Sequence, residues 1–267
     1  RDQRLYYQGF ANEIVWPLFH DLQGRCRFDP EAWEVYTSVN ARFAHAIAGE
    51  LRPDDFLWIH DYHLLQVAAQ LRRHGLGQRA AFFLHIPFPP LDIFLKLPQR
   101  SRILADMLAH DLLGFQVPRD LRNFTQCVRA LFRGEARLVR EHGRTTIDFR
   151  GREIQAGSFP IGIDFAAFAA RSAEPAVARR ARFVHAAGHD RQIALGVDRL
   201  DYTKGLPEKL CAFREMLRRW PELQGQLTLM QVVVPSRHDI REYRALKEEL
   251  NRLVGDINGE FSRPDWV

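Results

Sequence analysis

Three short strings hold most of the groups in this sequence that could do chemistry: Trp58-Ile59-His60-Asp61-Tyr62-His63, Leu84-His85-Ile86-Pro87-Phe88-Pro89, and Val197-Asp198-Arg199-Leu200-Asp201-Tyr202-Thr203-Lys204-Gly205. Each follows an apolar run. In the third, Arg199 precedes Lys204 by five residues, and Gly205 stands at the turn into a helix. A guanidinium fork, an ammonium and a helix N-terminus are three independent ways to hold a diphosphate. The plainer use is a surface pair between Arg199 and Asp201. Pro235-Ser236-Arg237 again sets a cation at a helix start after a strand. Asp61 is costly to bury unpaired, so it either caps the next helix or accepts hydrogen bonds from a ligand hydroxyl. The residue types leave those two readings level. His85 leads into Pro87 and Pro89, a rigid exit that would fix its ring in a cleft, although a satisfied core histidine fits as well. His60, Asp61 and His63 could meet a metal, but their spacing is loose for a ligand set and His63 can serve as a cap.

The elements that must position these groups follow from apolar periodicity. From residue 29, short apolar runs alternate with helix-length amphipathic segments, the pattern of parallel strands joined by crossover helices. Asp29 and Pro30 read as an N-cap and first helical position, opening a helix to Leu51. Strands are expected at Asp55 to His60, Ala80 to His85 and Leu112 to Gln116, with helices at Leu64 to His74, Asp92 to Ala109 and Pro118 to Leu131. Alternating runs flank Arg150-Gly151 and read as a hairpin. After a loop at Ser158 to Asp164 the rhythm restarts: a helix at Pro175 to Ala187, a strand at Gln192 to Val197, a helix at Leu206 to Arg219, a strand at Leu227 to Val234 and a helix at Ile240 to Val254. The expected class is α/β with two Rossmann-like domains, divided after residue 164 and the second cut short. In open parallel sheets ligands bind beyond the carboxyl ends of the strands, where all three strings fall.

Composition bounds the alternatives. With 46% hydrophobic and 27% charged residues, the chain of 267 residues is neither disordered nor of low complexity. No apolar run approaches the roughly 18 residues that a bilayer span requires. The net charge is +5, with 34 arginines, yet these do not gather into a basic stripe interleaved with aromatics, so anionic small molecules are favoured over nucleic acid. Cys26, Cys127 and Cys211 are odd in number and widely spaced, which suits burial in a reducing cytoplasm. The sequence lacks GxGxxG, a Walker A loop, GxSxG and HExxH, which disfavours ordinary dinucleotide dehydrogenases, P-loop kinases, elbow hydrolases and zinc proteases. It begins with Arg1 and is read as an internal piece of a longer protein.

At these residues the sequence resembles the trehalose-6-phosphate synthase family, retaining glycosyltransferases of GT-B architecture that include the glucosylglycerol-phosphate synthases. The likeness runs from Tyr6-Tyr7 and Trp16-Pro17 through WIHDYHLL at 58–65, HIPFP at 85–89, DLLGFQ at 111–116, FPIGID at 159–164 and DRLDYTKG at 198–205 to VPSR at 234–237. It implies two Rossmann-like domains whose parallel sheets face across a cleft: an acceptor-side domain over 1–164, missing its start, and a nucleotide-sugar domain over 165–267, missing its end. It implies transfer of glucose from a nucleotide sugar such as UDP-glucose to glucose 6-phosphate, with retention, giving trehalose 6-phosphate. Arg199 and Lys204 match the pair that holds the donor diphosphate and stabilises the leaving group. His85 matches the histidine lining the donor glucose, and Asp61 the carboxylate near the reacting centre. Tyr7, Trp16 and Arg237 match positions around the acceptor. The resemblance implies no metal and no cofactor beyond the nucleotide sugar. It also implies small-molecule partners, UDP-glucose and a sugar phosphate, without nucleic acid or membrane, and it is compatible with a homo-oligomer.

The family's glycine-rich N-terminal loop would lie before Arg1 and its ribose-binding acidic segment after Val267, which leaves the activity of this chain by itself open. Asp92 stands where many members carry Glu, a departure that could mark a subfamily. Two rival expectations are kept: glucosylglycerol-phosphate synthesis from glycerol 3-phosphate, and a catalytically silent sugar-phosphate-binding subunit. Intact Asp61, His85, Arg199, Lys204 and Arg237 speak against the latter.

Overall fold

The structure, a computed structural model, describes residues 1–141, 144–187, 191–235, 241–263 and 266, with no description of the side chains of 141, 187 and 241. The chain divides into two compact units, Arg1–Gly162 and Ile163–Val267.

The first unit opens with a widely wound helical segment, Arg4–Val15, that runs into α1 (Trp16–Phe19). In α2 (Pro30–Glu50) the Asp29 carboxylate accepts the Glu31 N–H at 2.9 Å, satisfying an orphan donor of the first turn, and Pro30 fills a position whose N–H is not needed. Then follow β1 (Leu57–His60), α3 (Val67–Arg73), β2 (Ala80–Leu84), α4 (Leu91–Phe94), α5 (Arg100–Met107), β3 (Leu112–Phe115), α6 (Pro118–Leu131), β4 (Ala136–Glu141), β5 (Arg144–Phe149) and β6 (Arg152–Ser158). They form a six-stranded sheet in the order β1-β2-β3-β6-β5-β4. The pairs among β1, β2, β3 and β6 are parallel, and β5 pairs antiparallel with both β6 and β4. Every residue of β2 is buried, as both faces of a covered parallel sheet demand. The hairpin turn Arg150-Gly151 has φ of 52° and 78°, the doubly positive geometry that matches strand twist.

Two devices hold this unit in register. At the amino edge of the sheet, Asp111 accepts hydrogen bonds from Arg72 and Arg152 and from the Ala80 N–H, each at 2.8 Å, which ties α3, β2, β3 and β6 together. On one face, the fully buried Phe88 packs against Phe19, Phe94, Phe115 and Phe124 with ring centroids 5.0–6.1 Å apart. Such an aromatic block buries large apolar area in fixed geometry. It anchors the segment that leaves β2.

The second unit contains α7 (Phe165–Ser172), α8 (Pro175–Ala187), β7 (Gln192–Arg199), α9 (Leu206–Arg219), β8 (Leu227–Val234) and α10 (Arg241–Phe261). β7 and β8 pair in parallel, from Gln192 with Leu227 to Arg199 with Val234, joined by α9. Leu200, Leu206, Leu210, Leu246, Leu250 and Leu253 pack beneath one face of this two-stranded sheet. On the other face Leu195, Val197 and Val234 are exposed.

Several boundaries differ from expectation for local reasons. The helix expected over Asp92 to Ala109 is two, α4 and α5, because Pro98 between them has no N–H for an intrahelical bond. β1 starts at Leu57 because the Asp55 carboxylate accepts the Arg52 N–H at 2.8 Å and closes a turn before it. The helix expected from Leu64 is a 3-10 turn at Tyr62–Leu64 followed by α3. β4 and α7 were not expected. β4 is short and arginine-rich, an edge strand with a weak apolar signal, while α7 is capped by Asp164, which accepts the Ala167 N–H at 2.9 Å. α10 continues past Val254 to Phe261, its last turn held where Arg214 and Arg218 donate to Glu260.

Candidate functional site

In the first unit the groups of interest sit where β1 and β2 end. The Asp61 N–H extends the ladder, donating to the Phe83 carbonyl at 2.8 Å. Its backbone then turns at φ 68°, ψ 167°, a region almost reserved for glycine and costing a side chain roughly 1–3 kcal/mol. The carboxylate does not cap the Tyr62–Leu64 turn. Instead Oδ1 accepts the His85 N–H at 3.3 Å, and Oδ2 receives no hydrogen bond from a described residue. The capping reading is thereby set aside, and one carboxylate oxygen remains open to a ligand.

His85 is exposed, so the core-histidine reading fails too. Its Nε2 lies 3.0 Å from Nδ1 of His60, with the rings stacked at 5.3 Å and 27°. One nitrogen donates and the other accepts, so each ring fixes the tautomer of its neighbour. The strand register explains the meeting: His60 pairs with Phe83, and His85, two residues on, shares its face. Residue type and spacing alone offer His60 only as a metal or polar ligand. Period-two alternation across neighbouring strands was the signal that could have paired it with His85. Trp58 covers His60 from the same face at 4.5 Å between ring centroids. Beyond His85, the Asn123 amide donates to the Phe88 carbonyl at 2.8 Å, pinning the proline-rich exit to α6.

The two aromatic residues assigned to the acceptor lie close to this turn in different settings. Tyr7 is 45% exposed, its ring 5.6 Å from that of His63. Trp16 is in the core at 6% exposure, its ring tilted against those of His20 and Tyr62. Tyr62 in turn donates to the Asn12 side chain at 2.9 Å. Among the described residues, no group of three or more His, Cys, Asp or Glu could share a metal ion.

In the second unit the acidic residues around Arg199 and Lys204 are engaged elsewhere. Asp198 accepts from Lys209 at 2.6 Å and from Gln231 at 3.0 Å, and the bond from Lys209 holds its carboxyl below the usual range. Asp201, buried, accepts the Thr203 N–H and hydroxyl at 3.0 and 2.9 Å and the Tyr243 hydroxyl at 3.2 Å. The Arg199–Asp201 pair therefore does not form. The side chains of Arg199 and Lys204 are exposed and make no hydrogen bond or ion pair with a described residue. Arg199 is the last residue of β7, and Lys204 ends a 3-10 turn whose C-cap, Gly205, has φ 60°, ψ 36° and is also the N-cap of α9. No side chain caps α9, so its first N–H groups and the positive end of its dipole stand beside the two cations. This cluster suits a multiply charged anion. Lys209, Gln231 and Tyr243 are the residues sequence reasoning missed; Gln231 and Tyr243 lie 33 and 42 residues from the acids they meet, and only the fold brings them there. Arg237 lies outside the described residues.

Glycosyltransferase family 20 matches residues 1–267 of the chain. The alpha,alpha-trehalose-phosphate synthase (UDP-forming) of Candida albicans is 40% identical over 98% of this chain and 55% of its own length. A structure of the Escherichia coli protein bound with UDP-2-fluoro glucose superposes with a TM-score of 0.92 at 35% identity, over 99% of this chain and 58% of that one. A Burkholderia xenovorans alpha,alpha-trehalose-phosphate synthase in complex with glucose-6-phosphate superposes at 0.90 with 36% identity, over 100% and 58%. The chain thus spans a little over half the length of these relatives. The fold class is the α/β GT-B class. With its full length matched, the chain belongs to glycosyltransferase family 20.

Proposed function

We propose that the protein carrying this chain is a retaining glycosyltransferase that moves glucose from UDP-glucose to glucose 6-phosphate, giving trehalose 6-phosphate. The observation that carries the reading is the pair of cations, Arg199 and Lys204, that make no hydrogen bond or ion pair with a described residue and stand at a strand end and an uncapped helix N-terminus. They would bind the donor diphosphate and stabilise the charge that develops on it as the bond to the sugar breaks. In the same-face scheme, the bond between the anomeric carbon and the diphosphate oxygen breaks. The acceptor hydroxyl oxygen then bonds to that carbon on the same face, and its proton passes to the departing diphosphate oxygen. No carboxylate nucleophile takes part.

Asp61 would accept hydrogen bonds from sugar hydroxyls through its open oxygen, and His85, its tautomer set by His60, would contact the donor glucose. Tyr7 would border the acceptor, Trp16 would back the turn from the core, and Arg237 would meet the acceptor phosphate. The acceptor side is assigned to the first unit and the nucleotide-sugar side to the second. We assign the protein to the cytoplasm, on three free cysteines, of which Cys127 is pushed up to about 12 by burial; no described helix is long and apolar enough to cross a membrane.

The deciding experiment offers UDP-glucose with glucose 6-phosphate, and separately with glycerol 3-phosphate, to the full-length protein and identifies the product by mass and anomeric NMR. Trehalose 6-phosphate with retained anomeric configuration is expected. A product formed only from glycerol 3-phosphate, or none from either acceptor, would overturn the reading. The metal-free scheme requires turnover to survive a strong chelator; loss restored by one divalent ion would refute it.

A further inference from the structure

A second cluster of free cations lies at the opposite edge of the first sheet from Asp61 and His85. Between α6 and the β4–β5 ribbon is a hollow of about 140 Å³ lined by Arg122, Thr125, Gln126, Arg129, Arg140 and Thr145. Arg122, Gln126 and Arg129 are spaced four and three residues apart on α6 and so share one helix face. Arg140 comes from β4, where it pairs with Thr145 of β5. Helix and ribbon thus approach the hollow from two sides. In the sheet order β4 is four strands from β2, so at about 4.8 Å per strand the hollow is roughly 19 Å from the His85 end.

None of the three arginines forms an ion pair or side-chain hydrogen bond with a described residue. Some arginines elsewhere in this unit meet acids, Arg72 and Arg152 at Asp111, Arg73 and Arg102 at Asp106, Arg150 at Glu135, so that what sets these three apart is their convergence on one hollow. The hollow also offers the hydroxyl of the buried Thr145 and an amide from Gln126, while the Thr125 hydroxyl donates to the Arg122 carbonyl at 2.9 Å. The geometry points to a binding site for a small phosphomonoester, its dianionic phosphate held by Arg122, Arg129 and Arg140 and its polar tail by Gln126 and Thr145. Guanidinium forks match phosphate oxygens in charge and geometry. A hollow of this size has room for a phosphate and a few tail atoms.

The inference is independent of the proposed reaction and is tested apart from it. Full-length protein labelled with 15N at arginine, carrying Arg199→Ala and Lys204→Ala to remove that anion site, is titrated with inorganic phosphate and then with glycerol 3-phosphate at low salt. The side-chain N–H signals of Arg122, Arg129 and Arg140 should move together along one saturating curve, with glycerol 3-phosphate binding at least as tightly as phosphate. Arg140→Gln should weaken both by about 10-fold, the loss of one charge-assisted contact, without moving the melting temperature. Shifts that do not saturate, or that appear equally at exposed arginines outside the hollow such as Arg79, would overturn the proposal. So would tight binding that Arg140→Gln and Arg122→Gln both leave unchanged.

Discussion

At the ends of β1 and β2 the polar groups hold one another: His60 meets His85, and Asp61 accepts the His85 N–H. At the end of β7 the acids are taken by Lys209, Gln231, Thr203 and Tyr243, so that Arg199 and Lys204 make no hydrogen bond or ion pair with a described residue. The first arrangement sets the direction of neutral donors and acceptors, as recognition of hydroxyls requires. The second keeps positive charge available, as recognition of a diphosphate requires. A strained turn in one unit and an uncapped helix in the other are the local costs of these two solutions.

The sharpest test of that contrast is the double substitution Arg199→Ala with Lys204→Ala. Because neither side chain makes a hydrogen bond or ion pair with a described residue, the melting temperature should move little. Use of UDP-glucose by the full-length protein should fall roughly 1,000-fold, about 4 kcal/mol from two lost charge-assisted contacts. A large drop in thermal stability would mean the cations were structural after all.

Acid should act on the first unit instead. His110 is fully buried beside Phe82, donates through Nδ1 to the Met107 carbonyl at 2.8 Å, and has no described partner at Nε2. Burial lowers its pKa from 6.5 to about 4. Between those values the unfolded chain binds the proton and the folded chain does not, so the contribution is whole above about 6.5 and is lost progressively as pH falls towards 4. The loss is about 3 kcal/mol. Denaturant titrations at pH 7 and pH 4.5 should show a steeper decline for the native chain than for His110→Phe; parallel declines would remove this account.

Asp61→Gly and Asp61→Ala both delete the carboxylate, but only glycine relaxes the turn. Glycine should therefore be more stable than alanine by about 1–2 kcal/mol, with activity low in both. Equal stabilities would show the turn to be unstrained. The smallest expected change is Gly205→Ala, which forces a left-handed residue at the cap of α9 and should cost about 1 kcal/mol, read in the denaturation midpoint.

The strands and crossover helices were legible because buried parallel strands and amphipathic helices impose strong periodicity, as at Ala80–Leu84 and Pro118–Leu131. The same signal is silent at β4, whose exposed arginines mask its pairing, and at α7, whose apolar residues are exposed. The strings at 58–63, 84–89 and 197–205 were visible because chemistry gathers at strand ends. What remained invisible was which of their polar groups would be satisfied internally. That depends on residues such as Lys209 and Tyr243, brought near by folding and unmarked by local spacing.

Asp111 fastens the parallel strands where they begin, far along the same strands from the residues proposed to meet sugar and phosphate. Foundation and rim are therefore separable. Loops at the rim can be shortened, lengthened or recoded to suit a different acceptor while the clamp beneath keeps the sheet assembled, which makes this half of the molecule a scaffold on which specificity can drift without endangering the fold.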